Sequence, residues 1–377
     1  HPILSGFVEW IHDRLEENQI RNVLFVSREG VLIKKFFDKK YKDKFNSIHL
    51  EVSRRSTTVP NIRNESDIKK LIYNKSTRFM MLDEMLLYRF GLKVALAKNY
   101  NLAFLKKEEC FELVKPYIND ILNNAEIERS NFTNYLKKTN SLNSNCAVID
   151  LGYNGSIQSQ LKLLSHYEDL GMTIKGFYLA TFIGITKNLN KNEYDSFLFR
   201  EIDKDKELNL SFFTSNTVLL EYIFSSGSSS VEKYDIKGNA VYYEHERKVE
   251  KRDSIHQYAV TYQNDAYFSR LELIKMMQDF ILNPHGDVCY FFSNIDIDDR
   301  FGGNATRYII CQKRSIFMLN YLQSEWKVGY KKTSIFRNFD YIWALLEKYE
   351  ELDYRFFFYR KKFYRKFDKL LPKSFLY

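Results

Sequence analysis

From Ile3 to Asn18, Leu4, Phe7, Val8, Ile11 and Leu15 recur at helical spacing with polar residues between them, which predicts an amphipathic helix. Val23-Leu24-Phe25-Val26 is a continuous apolar run halted by Ser27-Arg28-Glu29-Gly30. Val31, Leu32, Lys34 and Lys35 then resume a helical pattern, so the segment reads as strand, turn, helix. Ser47 to Val52 predicts a second strand, ending in the polar loop Ser53-Arg54-Arg55-Ser56-Thr57-Thr58. Residues 65–138 are mainly helical in pattern, most clearly over Arg78–Phe90 and Lys107–Asn123, and read as a helical insertion. At Cys146 the period changes to a buried-strand run, Cys146 to Ile149, followed by the loop Asp150 to Ser156 and a helix through Ile157, Leu161 and Leu164. Ile174 to Phe182 supplies a further strand.

Strands separated by helices imply an α/β fold with a mainly parallel, Rossmann-like sheet, whose functional loops gather at the carboxyl ends of the strands. Beyond it, Thr214–Phe224 reads as a helix, the serine-rich stretch Ser225 to Ser230 as a linker, and Val231 to Glu244 as a hairpin turning at Lys237-Gly238. Ala266–Leu282, Arg307–Ser324 and Phe339–Leu352 carry helical spacing, giving a helix-rich C-terminal region. The expected organisation is an α/β domain over 1–230 with an insertion at about 65–140, a C-terminal region over 231–353, and a tail over 354–377.

The chain of 377 residues has only 14 Gly and 5 Pro against 31 Phe and 27 Tyr, which excludes disorder, collagen-like repeats and a turn-dense all-β sandwich. No apolar run approaches the roughly 18 residues of a membrane span. No charged and then apolar leader opens the sequence, and His1-Pro2 includes no initiator Met, as expected for a piece of a longer chain. Cys110, Cys146, Cys289 and Cys311 are too scattered for a zinc site or a disulfide scaffold, so a reducing cytoplasm is expected.

The net charge of +9 is concentrated at the end: Tyr354 to Tyr377 holds eight Lys/Arg and one acid, Asp368. The rest of the chain is nearly neutral, which argues against nucleic acid as a partner. Ten aromatics interleave with those cations, a composition suited to docking on an anionic membrane, each cation contributing on the order of 1 kcal/mol. The competing reading is a C-terminal helix packed on the protein body.

Three loops carry candidate chemistry. In Asp150-Leu151-Gly152-Tyr153-Asn154-Gly155-Ser156-Ile157-Gln158 two glycines permit a tight turn, Ser156 adds a hydroxyl and the helix start adds partial positive charge, a combination that suits phosphate. A tight βα turn capped by Ser156 explains the same spacing equally well. Ser27, Arg28, Glu29 and Gly30 follow the first strand, and Ser53, Arg54 and Arg55 the second; Arg28 suits bidentate phosphate binding. Three polar loops at one sheet edge point to an anion pocket for a ligand with more than one phosphate. Glu221, an acid within Val218 to Phe224, reads either as one half of a structural ion pair, which the residues alone favour, or as a general base. Asp296-Ile297-Asp298-Asp299 superficially matches phosphatase and glycosyltransferase acid motifs but reads as a turn or surface cluster, and the seven histidines show no metal-ligand spacing.

Gly6-Phe7-Val8-Glu9-Trp10, Leu24 to Gly30, Val52 to Arg55, Ile149 to Gln158 and Leu220-Glu221-Tyr222 occur in an order that resembles a bacterial surface-polysaccharide family whose members are often labelled HAD-superfamily hydrolases. The match runs from Pro2 to Tyr234 and is to the glycan phosphoribosyltransferase module of bacterial ribofuranosyltransferases. The resemblance implies a glycosyltransferase that moves 5-phosphoribose, or a related pentofuranosyl group, from phosphoribosyl pyrophosphate to a lipid-linked glycan of O-antigen or capsule. The expected partner is a separate phosphatase, unless the 5-phosphate is not removed at all, and the expected location, read with the basic aromatic tail, is the inner face of the cytoplasmic membrane.

In that scheme Arg28, Arg54 and Arg55 hold the diphosphate, with Ser27, Glu29, Gly30 and Ser53 in the same loops. Gly152, Asn154, Gly155, Ser156 and Gln158 hold the 5-phosphate, Asp150 the ribose hydroxyls, and Glu221 is the base. The two anion loops are interchangeable. Mg2+ is the expected cofactor, with no ligand set assigned. Where the family reads Arg-Asp-Gly this chain has Arg28-Glu29-Gly30, and no N-terminal Asp-x-Asp phosphatase motif is present. The alternatives are an HAD-type sugar phosphatase using Asp150 or Asp296, and a non-catalytic glycan-assembly scaffold.

Overall fold

The computed structural model describes residues 2–73, 80–102, 105–142, 145–200, 211–226, 229–243, 256–257, 260–261, 268–299, 304–312, 324–334, 338, 341–344 and 346–348. The membrane-docking tail, Tyr354 to Tyr377, lies outside these residues. The chain divides into two compact units. The first comprises His1–Ile68, Leu86–Lys93 and Tyr117–Leu282, and the second Lys69–Met85, Val94–Pro116 and Asn283–Tyr377. The boundary expected at residue 230 thus falls inside the first unit, and the helical insertion is shared between the two.

The first unit is built on five parallel strands in the order β2-β1-β3-β4-β5, with β1 at Asn22–Val26, β2 at Asn46–Leu50, β3 at Asn145–Tyr153, β4 at Thr173–Thr181 and β5 at Tyr194–Arg200. This is an α/β, Rossmann-like sheet as the sequence implies; β5 is the strand that the hydrophobic pattern did not announce. Alternation along each strand sends neighbouring residues to opposite faces. Leu24, Val26, Cys146, Val148 and Ile174 share one core with Ile157, Leu161 and Leu164 of helix α8 (Ser156–Tyr167) and with Phe132, Tyr135 and Leu136 of helix α7 (Ile118–Lys138). On the other face Phe25 meets Phe37 of α2 (Gly30–Tyr41) with ring centroids 5.3 Å apart, and Phe177 meets Trp10 of α1 (Pro2–Glu17) at 5.8 Å.

The helices that follow β1 and β3 therefore leave the sheet in opposite directions. That divergence opens a crevice outside the carboxyl ends of two adjacent strands, the position where doubly wound sheets bind ligands.

The segment after β2 is a helix, not a loop: Ser53 caps α3 (Arg54–Thr58), accepting from the Ser56 amide at 3.0 Å, while the Ser56 hydroxyl accepts from the Ser53 amide at 2.9 Å. The expected hairpin is present as β6 (Val231–Tyr234) and β7 (Ala240–Tyr242), turning at Gly238 with φ +68°.

In the second unit, β8 (Asp296–Asp299) and β9 (Asn304–Tyr308) pair antiparallel. Asp296 is therefore in a strand, not a turn, and Arg307-Tyr308 in a strand, not a helix. Short apolar runs do not distinguish the two by spacing, and pairing decides. The four cysteines are buried and none forms a disulfide. Among the described residues no helix is long and apolar enough to cross a membrane.

Candidate functional site

Strand β1 pairs with β3 from Asn22↔Cys146 to Phe25↔Ile149, so the loops that leave their carboxyl ends are neighbours. At the end of β1, Ser27 takes φ +63°, a conformation unusual for a residue with a side chain. A Cβ on Gly30 would stand 2.7 Å from the Phe25 carbonyl carbon, so glycine is required by the close return of the chain. Between them, Glu29 is 7% exposed, and its carboxylate accepts a hydrogen bond from Ser225 Oγ at 3.2 Å. The Arg28 guanidinium approaches that carboxylate to 3.9 Å and keeps about a quarter of its side-chain surface open to solvent, while the Arg28 carbonyl accepts from the Ser226 amide at 3.0 Å. The serine-rich stretch read as a linker thus begins as a wall of the site.

Strand β3 continues past its expected end. Asp150, Gly152 and Tyr153 pair with Tyr178, Ala180 and Thr181 of β4, so Asp150 lies within the strand and not in the loop. Asp150 is partly exposed, and its carboxyl accepts from the Leu151 amide at 2.8 Å. Withdrawal from water, and then the negative charges of Glu29 and Glu221, push its pKa up to about 8 against the opposing backbone N–H groups. Tyr153 has φ +73°; its ring stacks on Phe182 at 4.8 Å and its carbonyl accepts from the Phe182 amide at 2.7 Å. Gly155 is the cap of α8 at φ +61°, and Ser156 is the first helical residue, which corrects the reading of Ser156 as the cap.

The structure brings Arg28, Glu29, Asp150 and Glu221 of α10 (Thr217–Phe224) into one electrostatic group. Asn154 is exposed at the rim, its carbonyl held by Asn188 Nδ2 at 2.7 Å, and Arg54 is exposed at the start of α3.

Three expected phosphate ligands are used inside the protein. Arg55 is 1% exposed and forms a bidentate pair with Glu128, its Nη1 and Nη2 donating at 2.6 and 2.7 Å. Gln158 is fully buried, donating to the Ile174 and Glu193 carbonyls and accepting from the Tyr178 hydroxyl at 2.6 Å. Ser53 Oγ caps α3 and donates to the Val231 carbonyl at 2.7 Å. Gly152 and Gly155 are likewise required by the fold: a Cβ would lie 2.6 Å from the Ala180 oxygen and 2.5 Å from Leu189 Cδ1 respectively.

The site is consequently more acidic than an anion cradle. A carboxyl that stays protonated near neutrality both donates and accepts, which suits sugar hydroxyls, while Arg28 provides the nearby cation. Among the described residues no three His, Cys, Asp or Glu side chains converge to hold a metal ion.

Sequence reasoning missed Tyr153 and Ser225. A bulky residue between two glycines at a strand end was the available signal for Tyr153, and none marked Ser225. A separate open cleft of about 680 Å3, lined in part by Asn145, Lys162, Thr173 and Lys175, lies at the amino ends of β3 and β4, the opposite edge of the sheet.

Fold and site together define a doubly wound parallel α/β protein with an acidic, arginine-flanked crevice at its switch point. No protein-family model matches the chain, and no curated protein matches it significantly.

Proposed function

We propose that the protein is a glycosyltransferase of bacterial surface-polysaccharide assembly that transfers a 5-phosphoribosyl, or related pentofuranosyl, group from a sugar 1-diphosphate to a glycan hydroxyl. The observation that carries this reading is the group of Glu29, Asp150 and Glu221 beside Arg28 at the β1/β3 crevice. The motif order described above supplies the donor.

In the reaction the bond from the sugar C1 to the diphosphate oxygen breaks, the acceptor oxygen bonds to C1, and the acceptor's proton leaves. Arg28 and Arg54 neutralise the departing diphosphate. The Asp150 carboxyl fixes the ribose hydroxyls, and Glu221 takes the proton. The first amides of α8 and Ser156 hold the 5-phosphate, a role consistent with the helix N-terminus. Magnesium, when bound with the diphosphate, would add positive charge on the leaving group. Arg55, Ser53 and Gln158 have no part in this scheme.

The phosphatase reading is weaker. Asp296 lies in an antiparallel pair of the second unit, and Asp150, held largely protonated, is a poor nucleophile. Incubation with phosphoribosyl pyrophosphate and a lipid-linked glycan decides among the readings. Pyrophosphate released only when the glycan is present supports transfer. Inorganic phosphate released without glycan indicates a phosphatase, and no turnover of either kind indicates a scaffold.

A further inference from the structure

Tyr153 has no role in the scheme above, yet it is the most constrained residue of the crevice. Its backbone is held in a left-handed conformation by pairing with Thr181 and by the Phe182 amide, at φ +73°, where a bulky residue is disfavoured. Its ring is fixed by the stack on Phe182, at 15° between planes, and by an edge contact with Phe213 at 6.1 Å. These contacts explain the ring and not the hydroxyl. That hydroxyl is withdrawn from solvent and makes no hydrogen bond with the described residues. A phenylalanine would satisfy every packing contact without leaving a polar group unpaired, so retaining the oxygen costs stability unless a ligand completes it.

Tyr153 follows Asp150 by three residues at the carboxyl end of β3, and the charges that act on its hydroxyl are those of Glu221, Glu29 and Asp150, the carboxyls of the proposed donor site. Burial, together with those charges, raises the phenol well above its ordinary range, so it remains a proton donor throughout the physiological interval.

We infer that Tyr153 binds the sugar-phosphate donor directly, its hydroxyl donating a hydrogen bond to a donor oxygen held beside the carboxyls of Asp150, Glu29 and Glu221. The inference rests on the functional reading above and adds a phenolic hydrogen-bond donor beside the carboxyls of the site. The donor oxygen belongs to a ribose hydroxyl or to a phosphate, and the probes separate the two: phosphoribosyl pyrophosphate carries both groups, inorganic pyrophosphate only the second.

The test is thermal unfolding of the parent protein and Tyr153→Phe, each titrated with phosphoribosyl pyrophosphate and with inorganic pyrophosphate in the presence of Mg2+. The expected result is a variant whose unliganded melting temperature is equal to or above the parent's. Its half-saturating concentration of phosphoribosyl pyrophosphate rises by about tenfold, the cost of one unmade buried hydrogen bond. A parallel rise for pyrophosphate assigns the bond to phosphate, and a rise for the full donor alone assigns it to ribose. If parent and variant bind phosphoribosyl pyrophosphate equally, the inference about Tyr153 is overturned while the functional reading stands. A parent protein that no concentration of phosphoribosyl pyrophosphate stabilises overturns both. Should Tyr153→Phe fail to fold, the hydroxyl has a structural role and the inference is lost.

Discussion

Arg55 with Glu128, and Glu29 with Asp150 and Glu221, are two groups of charge withdrawn from water within the same unit, and they are resolved in opposite ways. In the first, five polar contacts close on one another: two Arg55 nitrogens donate to the two Glu128 oxygens, Arg55 Nη1 also donates to the Glu232 carbonyl, and Asn124 Nδ2 donates both to Glu128 and to the Phe90 carbonyl. In the second, the charges of Glu29 and Glu221 act on the Asp150 carboxyl, while Glu29 accepts from the Ser225 hydroxyl and has the Arg28 guanidinium 3.9 Å away. Opposite charges in bidentate contact neutralise one another without a ligand, even though Arg55 Nε makes no hydrogen bond with the described residues. Like charges brought together raise the free energy of the empty site, and a cation or a hydroxyl-rich ligand lowers it. The contrast separates the arginine that holds the fold from the acids of the crevice, although the linear sequence places Arg55 and Glu29 alike in polar segments that follow strands.

The comparison breaks most visibly at the paired group. Arg55→Ala leaves the Glu128 carboxylate buried without its counter-ion and should destabilise the first unit by about 3–5 kcal/mol in chemical denaturation. A loss below about 1 kcal/mol, the range of surface pairs, would mean that the pair is not closed as described and would return Arg55 to the list of available phosphate ligands.

At the acidic group the expected sign is reversed. The Asp150 pKa is raised from 3.8 in the unfolded chain to about 8, so the folded protein keeps a proton that the unfolded chain loses. Stability from this residue therefore falls as pH rises from about 4 to about 8. Asp150→Asn removes that dependence. Relative to the parent, the variant should be nearly equal at pH 4 and more stable by about 2 kcal/mol at pH 8, a figure reduced for the partial exposure of the carboxyl. A stability difference that stays flat across this interval would assign Asp150 an ordinary carboxylate and dissolve the contrast. Glycosyl transfer by Asp150→Ala should be abolished with the fold intact, and turnover within a few-fold of the parent would remove Asp150 from the site.

Much of this arrangement was legible from the hydrophobic pattern, for identifiable reasons. Three of the five sheet strands announce themselves by apolar runs and β2 by the alternation of Ile48, Leu50 and Val52 with polar residues, and strand–helix alternation is enough to specify a parallel sheet. β5 (Tyr194–Arg200) escapes because an edge strand is buried unevenly and its Tyr-Asp-Ser-Phe-Leu-Phe-Arg pattern carries no strong alternation. Loops at one sheet edge were likewise predictable, and with them Arg28, Glu29 and Asp150, whereas Glu221 stands on a helix where the residues alone favoured a structural ion pair.

Which polar side chains face the crevice was not predictable. That depends on partners remote in sequence: Glu128 for Arg55, Ile174 and Glu193 for Gln158, Val231 for Ser53. The serine run after α10 illustrates the limit. Composition alone marks Ser225 as linker, whereas its position 3.2 Å from Glu29 makes it part of the site.

The smallest expected effect concerns adjacent residues of one former loop, Ser53 and Arg54. Ser53 Oγ satisfies the Ser56 amide at the start of α3 and ties that helix to β6 through the Val231 carbonyl, so Ser53→Ala should cost about 1 kcal/mol in urea unfolding. Donor binding should not change. Arg54 is exposed on the first turn of the same helix, and Arg54→Ala should leave unfolding within about 0.5 kcal/mol of the parent. If Arg54 neutralises the diphosphate, that variant should weaken donor binding several-fold, with a loss that diminishes as salt is raised, because the contact is made at the protein surface. A donor-binding defect in Ser53→Ala, with none in Arg54→Ala, would reverse the assignment. The hydroxyl would then belong to the crevice and the guanidinium to the solvated surface.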